Sequence, residues 1–245
     1  MTAASAAGVQ TRRDQRRVLG AAALASGVAW LVLITAKPHI HGGAAPLVTA
    51  FVMWTVMMVA MMLPPVLPWV LFFTSARVER SGGSRAVLPA GVFLGGYFAV
   101  WTVFAVAAAF LQVGLVEGGI MAGFNPQLDG RLAGAVLIAA GVFQFSPLKA
   151  ACLTHCRTPL GFFLARWRDG PRGAFQMGFA HGRYCLGCCW LLMIVAFAVG
   201  VMNLAWMALL TLGLSVEKIA PRGPALGRAF GAVLVAWGGL TIVGG

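Results

Sequence analysis

From Tyr184 to Val216 the chain carries no charged side chain. A run that long and that apolar suits the hydrocarbon layer of a membrane better than the core of a small soluble domain. The same pattern recurs along all 245 residues, with apolar runs separated by short basic clusters. Hydrophobic residues make up 60% of the chain and charged residues 10%, against about 45–50% and about 25% in a soluble domain. One core could not hide that much apolar surface, and the composition equally excludes disorder. The expectation is an all-α, polytopic transmembrane helix bundle.

Seven spans are predicted: Leu19 to Thr35; Pro46 to about Ala76, interrupted at Pro64, Pro65 and Pro68; about Ala86 to Val116; about Leu128 to Phe145; about Gly173 to Val199; about Asn203 to Ile219; and about Ala225 to Val243. The uncharged stretch is divided into two spans by a tight turn near Gly200–Asn203. The domain reading is a basic cytoplasmic tail over residues 1–18, then a single transmembrane helical domain over 19–245. The first span reads as an uncleaved anchor, because no convincing small-residue cleavage site follows it.

Lys and Arg set the orientation. With seven spans and a cytoplasmic N-terminus, clusters at Arg12–Arg17, Arg77–Arg85, Lys149–Arg172 and Lys218–Arg228 place 15 of the 18 basic residues on one side. That is the bias expected of cytoplasmic loops. Lys37 and Arg131 fall outside, and Arg183 lies within a span. The net charge of +12 is therefore topology rather than a nucleic-acid surface. The lipid bilayer is the expected partner, and nucleic acid is not.

All five cysteines fall between Cys152 and Cys189. On a helix Cys152 and Cys156 share a face, with His155 flanking Cys152. His181, Cys185 and Cys188 form one stripe, joined a turn earlier by Met177, while Cys189 sits about 100° round from Cys188. Thiolates and imidazoles at this spacing are soft or borderline ligands, suited to copper, zinc or an iron–sulfur cluster and unsuited to magnesium or calcium. Lys149, Arg157 and Arg183 lie near enough in sequence to offset thiolate charge. Gln144 is positioned to support the site by hydrogen bonding, and Glu217 reads as a pair with Lys218.

The second span holds a methionine row, Met53, Met57 and Met61, with Met58 and Met62 beside it. Thioethers hold Cu(I) without burying an anion, so the row is a candidate metal path, with His39 and His41 just outside its start. The competing reading is ordinary packing. Pro64 is expected to kink or break this helix. No paired carboxylates, catalytic serine arrangement or phosphate loop is present, so an enzymatic role rests on the thiols alone: Cys185 and Cys188 stand at Cys-x-x-Cys spacing, which supports disulfide chemistry. Gly178 and Gly182 suit a close helix contact, and a subunit or assembly role, with a homo-oligomer or complex partner, is the third reading.

The residues from Met53-Trp54 through Ala60-Met61-Met62 to Pro64 resemble a known family. So do Gln144, Pro147, Lys149, Cys152, His155, Cys156, Arg157 and Pro159. The likeness continues at Gly173, Met177, Gly178, His181, Gly182, Tyr184, Cys185, Gly187, Cys188, Cys189 and Trp190, then at Gly200, Met202, Asn203, Glu217 and Lys218. The family is a bacterial and archaeal group of predicted metal-binding integral membrane proteins, domain of unknown function 2182, and the resemblance covers about residues 50 to 220. It implies a multi-helix fold in a prokaryotic cytoplasmic (inner) membrane and a metal at the Cys and His positions; it implies no reaction. Together these readings favour a copper-handling protein.

Overall fold

The computed structural model describes residues 3–35, 46–81, 85–121 and 127–244. His39 and His41 lie outside them. The described residues form nine helices and no sheet: α1 (Ala3–Thr35), α2 (Pro46–Arg80), α3 (Val87–Glu117), α4 (Gly130–Phe143), α5 (Pro147–Arg157), α6 (Pro159–Arg166), α7 (Gly170–Val199), α8 (Leu204–Ile219) and α9 (Gly223–Gly244). Five of them, α1, α2, α3, α7 and α9, are long and apolar enough to cross a membrane. A sixth is added if α4 and α5, bent by 60° at their junction, count together. Their outward faces carry exposed Leu24, Phe110, Phe175 and Leu240, an arrangement compatible with a multi-pass membrane protein. The seven-span expectation meets two short elements here, α4 with 14 residues and α8 with 16.

The basic stretch between the fourth and fifth predicted spans, read as helical around Cys152 and Cys156, forms two short helices, α5 and α6. Ser146 caps α5 by accepting from the Lys149 amide at 3.1 Å, and Pro147 takes the first helical position, where its missing N–H costs nothing. The turn between α7 and α8 falls where expected. Gly200 adopts φ 98°, and Asn203 caps α8 by accepting from the Trp206 amide at 3.1 Å.

One expectation is overturned. α2 is not interrupted: it runs as a single helix through Pro64, Pro65 and Pro68. An interior proline strips the i−4 carbonyl of its donor, at a cost of about 3 kcal/mol. For Pro64 that carbonyl belongs to Ala60, and Ser26 of α1 donates its hydroxyl to it at 3.3 Å. A neighbouring helix thus supplies the donor that the ring removed.

Glycine sets the closest helix approaches. α3 and α7 cross so tightly that a Cβ at Gly178 would collide with the Phe93 carbonyl, and one at Gly96 with the Phe175 carbonyl. The small-residue pattern at Gly178 and Gly182 is therefore used inside the chain. α4 and α9 meet in the same way, a Cβ at Gly134 falling 2.7 Å from the Gly238 carbonyl.

Basic clusters from four parts of the chain adjoin one another. Gln15 of α1 donates to the Ser75 hydroxyl of α2 at 2.8 Å, and buried Asp14 accepts from the Ala86 amide at 2.7 Å, at the start of α3. The Arg80 guanidinium lies 4.7 Å from the Trp167 ring centre, and Arg157 donates to the Ala220 carbonyl at 2.7 Å. The stretch of α1 around Asp14 and Gln15, the start of α3 and the ends of α2 and α8 thus lie towards one end of the bundle.

Candidate metal centre

α7 carries most of the centre. Its contact with α3 sets His181, Cys185, Cys188 and Cys189 facing inward, and all four are buried. Cys189, expected to stand apart from the stripe, is as enclosed as the others. The Sγ atoms of Cys188 and Cys189 donate to one acceptor, the Cys185 carbonyl, at 3.1 and 3.0 Å. Cys188 is also within hydrogen-bonding reach of the thiols of Cys156, Cys185 and Cys189.

α5 brings Cys156 against this group. Its backbone is held by the Trp69 indole, which donates to the Cys156 carbonyl at 2.8 Å. Cys156 is buried, and Cys152, one turn earlier on the same face, is half-buried. The Cys152 sulfur stands 2.7 Å from where a Cβ on Gly187 would lie, so it packs closely against α7 there. All five cysteines are free thiols.

His155 departs from expectation. It is exposed, its Nδ1 meets the Ala151 carbonyl at 2.9 Å, and its ring stacks on Tyr184 with centroids 4.3 Å apart. His155 lies at the exposed edge of the contact between α5 and α7, about 100° round from Cys156, and meets α7 at Tyr184 and not at the thiols. His181 is buried instead among aromatic rings, 3.8 Å from Trp69 and 5.6 Å from Tyr97, and its Nδ1 has no hydrogen-bond partner among the described residues.

The methionine row is wholly internal, with Met53, Met57, Met58, Met61 and Met62 all buried along α2. Its inner end meets the thiols through Tyr97 of α3. The Tyr97 hydroxyl reaches the Met62 carbonyl at 3.4 Å and the Cys185 sulfur at 3.0 Å.

The cation beside the thiols is one that sequence reasoning missed. Lys218 of α8 donates to the Cys185 sulfur at 3.0 Å. The three expected cations face elsewhere. Lys149 forms a buried ion pair with Glu217 at 2.9 Å. Arg157 binds carbonyls at the end of α8, and Arg183 is exposed. Glu217 and Lys218 therefore do not pair with each other; as helix neighbours they point in different directions. Gln144 bonds back to the Ala140 carbonyl of its own helix at 3.3 Å and makes no contact with the thiols among the described residues. One signal for Lys218 was available: a lysine in a largely apolar helix needs a partner.

Among the described residues no three His, Cys, Asp or Glu side chains converge on one point in metal-binding geometry. Two thiols are turned onto the Cys185 carbonyl. The donor chemistry nevertheless fits a soft ion: several sulfurs in mutual reach, and a buried imidazole nitrogen without a partner.

Fold and residues thus describe an all-helical protein with a buried, sulfur-rich centre. The model of the PpoB2 copper chaperone family matches residues 51–241, and the chain belongs to that family. The matched stretch contains every cysteine and the whole methionine row. No curated protein and no solved structure matches the chain.

Proposed function

We propose that the chain is a multi-pass protein of a prokaryotic inner membrane that carries Cu(I) on its buried thiols and passes it on. The observation that carries this reading is the meeting of Cys156, Cys185, Cys188 and Cys189 beside one lysine, in a chain of a copper chaperone family. Charge counting favours Cu(I). Two thiolates around a monovalent ion leave one negative charge, and the Lys218 ammonium restores neutrality where an unpaired charge would be costly. Zinc on four thiolates would leave a negative charge that one lysine does not cancel. Cys185 and Cys188 are the principal ligands, with Cys156, Cys189 and His181 as further donors. Binding would turn the Cys188 and Cys189 thiols from the Cys185 carbonyl onto the ion.

Met53, Met57 and Met61 lead towards the thiols from one side. Half-buried Cys152 and exposed His155 mark the way out on the other. The same reading places the N-terminus and the adjoining basic clusters in the cytoplasm, with α4 and α8 as short crossing elements. At 1.5 Å per residue α8 spans about 24 Å, less than a hydrocarbon core of about 30 Å.

The test loads the detergent-purified chain with Cu(I) under anaerobic conditions and counts copper and free thiols per chain. The parent should hold about one copper, and Cys185→Ser/Cys188→Ser should retain it at least about ten-fold more weakly, a loss of about 1.4 kcal/mol, with an unchanged melting temperature. A parent that holds no copper, and whose thiols cycle between reduced and disulfide forms, would be a thiol oxidoreductase instead.

A further inference from the structure

Arg183 has no place in the copper reading. It lies 13 residues into α7, about 20 Å along a helix of membrane-spanning length, is exposed, and makes no hydrogen bond or ion pair among the described residues. An arginine at such a position needs a counter-charge or a route to water.

The structure gives it a cavity of about 400 Å³ between α6 and α7. Arg166, Arg168 and Arg183 all line this cavity, together with Gln176, and no acidic side chain does. Arg168 donates to the Gln176 amide oxygen, which fixes its direction. The Arg166 guanidinium lies over two rings, 5.9 Å from Phe162 and 5.8 Å from Tyr184. These contacts orient both guanidinium groups without neutralising them. The rest of the wall includes Phe162 and Phe179, and exposed Phe175, stacked on Phe179 with ring centres 6.5 Å apart, continues the apolar surface beyond it.

Three guanidinium groups around an open cavity are suited to a phosphate, which arginine binds through paired N–H donors. Apolar walls that run on into an exposed apolar surface suit the chains attached to a lipid phosphate and offer nothing to a free anion. We propose that this cavity binds the headgroup of an anionic phospholipid, with Arg166, Arg168 and Arg183 on the phosphate and Phe162 and Phe179 beside the upper acyl chain. The proposal rests on the membrane placement above but not on copper binding.

The test reconstitutes the full chain in phosphatidylcholine with a minor share of phosphatidylglycerol and measures co-purifying lipid by native mass spectrometry. Copper loading is measured on the same samples. The parent should hold phosphatidylglycerol several-fold above its share of the bilayer. Arg166→Gln/Arg183→Gln should bring it back to that share, with copper loading unchanged. Arg131→Gln, outside the basic clusters, should leave the enrichment intact. Should the double variant fail to fold, Arg183→Gln alone should lower the enrichment at least about two-fold. Equal enrichment in parent and folded variants overturns the proposal. So does displacement of the lipid by excess inorganic phosphate, which would make the cavity a soluble-anion site. Loss of copper loading with intact lipid enrichment would count against the copper reading alone.

Discussion

Two buried lysines meet at the last turn of α8, Lys149 reaching it from α5 and Lys218 belonging to it, and they are used differently. Lys149 ends on a carboxylate, Glu217, at 2.9 Å, and Gly227 of α9 leaves that carboxylate room. Lys218, the very next residue, ends on the Cys185 sulfur at 3.0 Å, with the Tyr97 hydroxyl on the same sulfur. In the first region opposite charges cancel, and neither partner has a reason to move. In the second, a full positive charge faces a polarisable atom that can exchange a proton for a metal ion. The first region ties α5 to α8. On the copper reading proposed above, the second holds a charge in reserve for the ion.

Three substitutions sharpen or break this contrast. The largest effect is expected from Lys149→Met, which strands the Glu217 carboxylate in an apolar setting. Loss of one partner from a buried pair costs about 3–5 kcal/mol, so the melting temperature should fall steeply, and Lys149→Met/Glu217→Gln should recover much of it. A melt unmoved by the single substitution would mean that the pair ties nothing together. Next comes Lys218→Met. Removing a buried ammonium that has no carboxylate should leave the melting temperature level or higher, while Cu(I) retention falls about ten-fold, or about 1.4 kcal/mol. Lys218→Arg should keep part of the retention. If Lys218→Met instead lowers stability as much as Lys149→Met and spares copper, the two lysines do the same work. The smallest effect is expected at Ser26→Ala, remote from both. Losing the donor to the Ala60 carbonyl should cost about 0.5–1.5 kcal/mol in thermal stability, with copper binding untouched. No change there would mean that α2 tolerates its prolines without α1.

What could be read ahead of the structure was whatever depends on spacing within one helix. The stripe His181, Cys185, Cys188 is buried on one face of α7, and the methionine row is buried along α2. Contacts between helices were out of reach. Lys218 and Cys185 are 33 residues apart, and Tyr97 and Cys185 are 88; no local periodicity predicts which of seven apolar runs lie side by side. His155 shows the limit of spacing itself. It was placed on the right helix, and it does meet α7, but at Tyr184 on the exposed edge of the contact and away from the thiols. The prolines of α2 show a local rule overridden by a side chain from another element. Nearness in sequence also misled for Lys149, Arg157 and Arg183, because each had a nearer partner, or open surroundings, in three dimensions.

The hydroxyl of Ser26 on the Ala60 carbonyl also bears on how the chain is made. Synthesis runs from the N-terminus, so α1 leaves the ribosome before α2 does. When Pro64 emerges, the group that will satisfy the carbonyl it leaves bare is already in place on the preceding helix. The first two helices are thus fitted to pair as soon as both have been made, and a chain shortened from its start past Ser26 would deliver a proline-weakened α2 without the hydroxyl that completes its backbone.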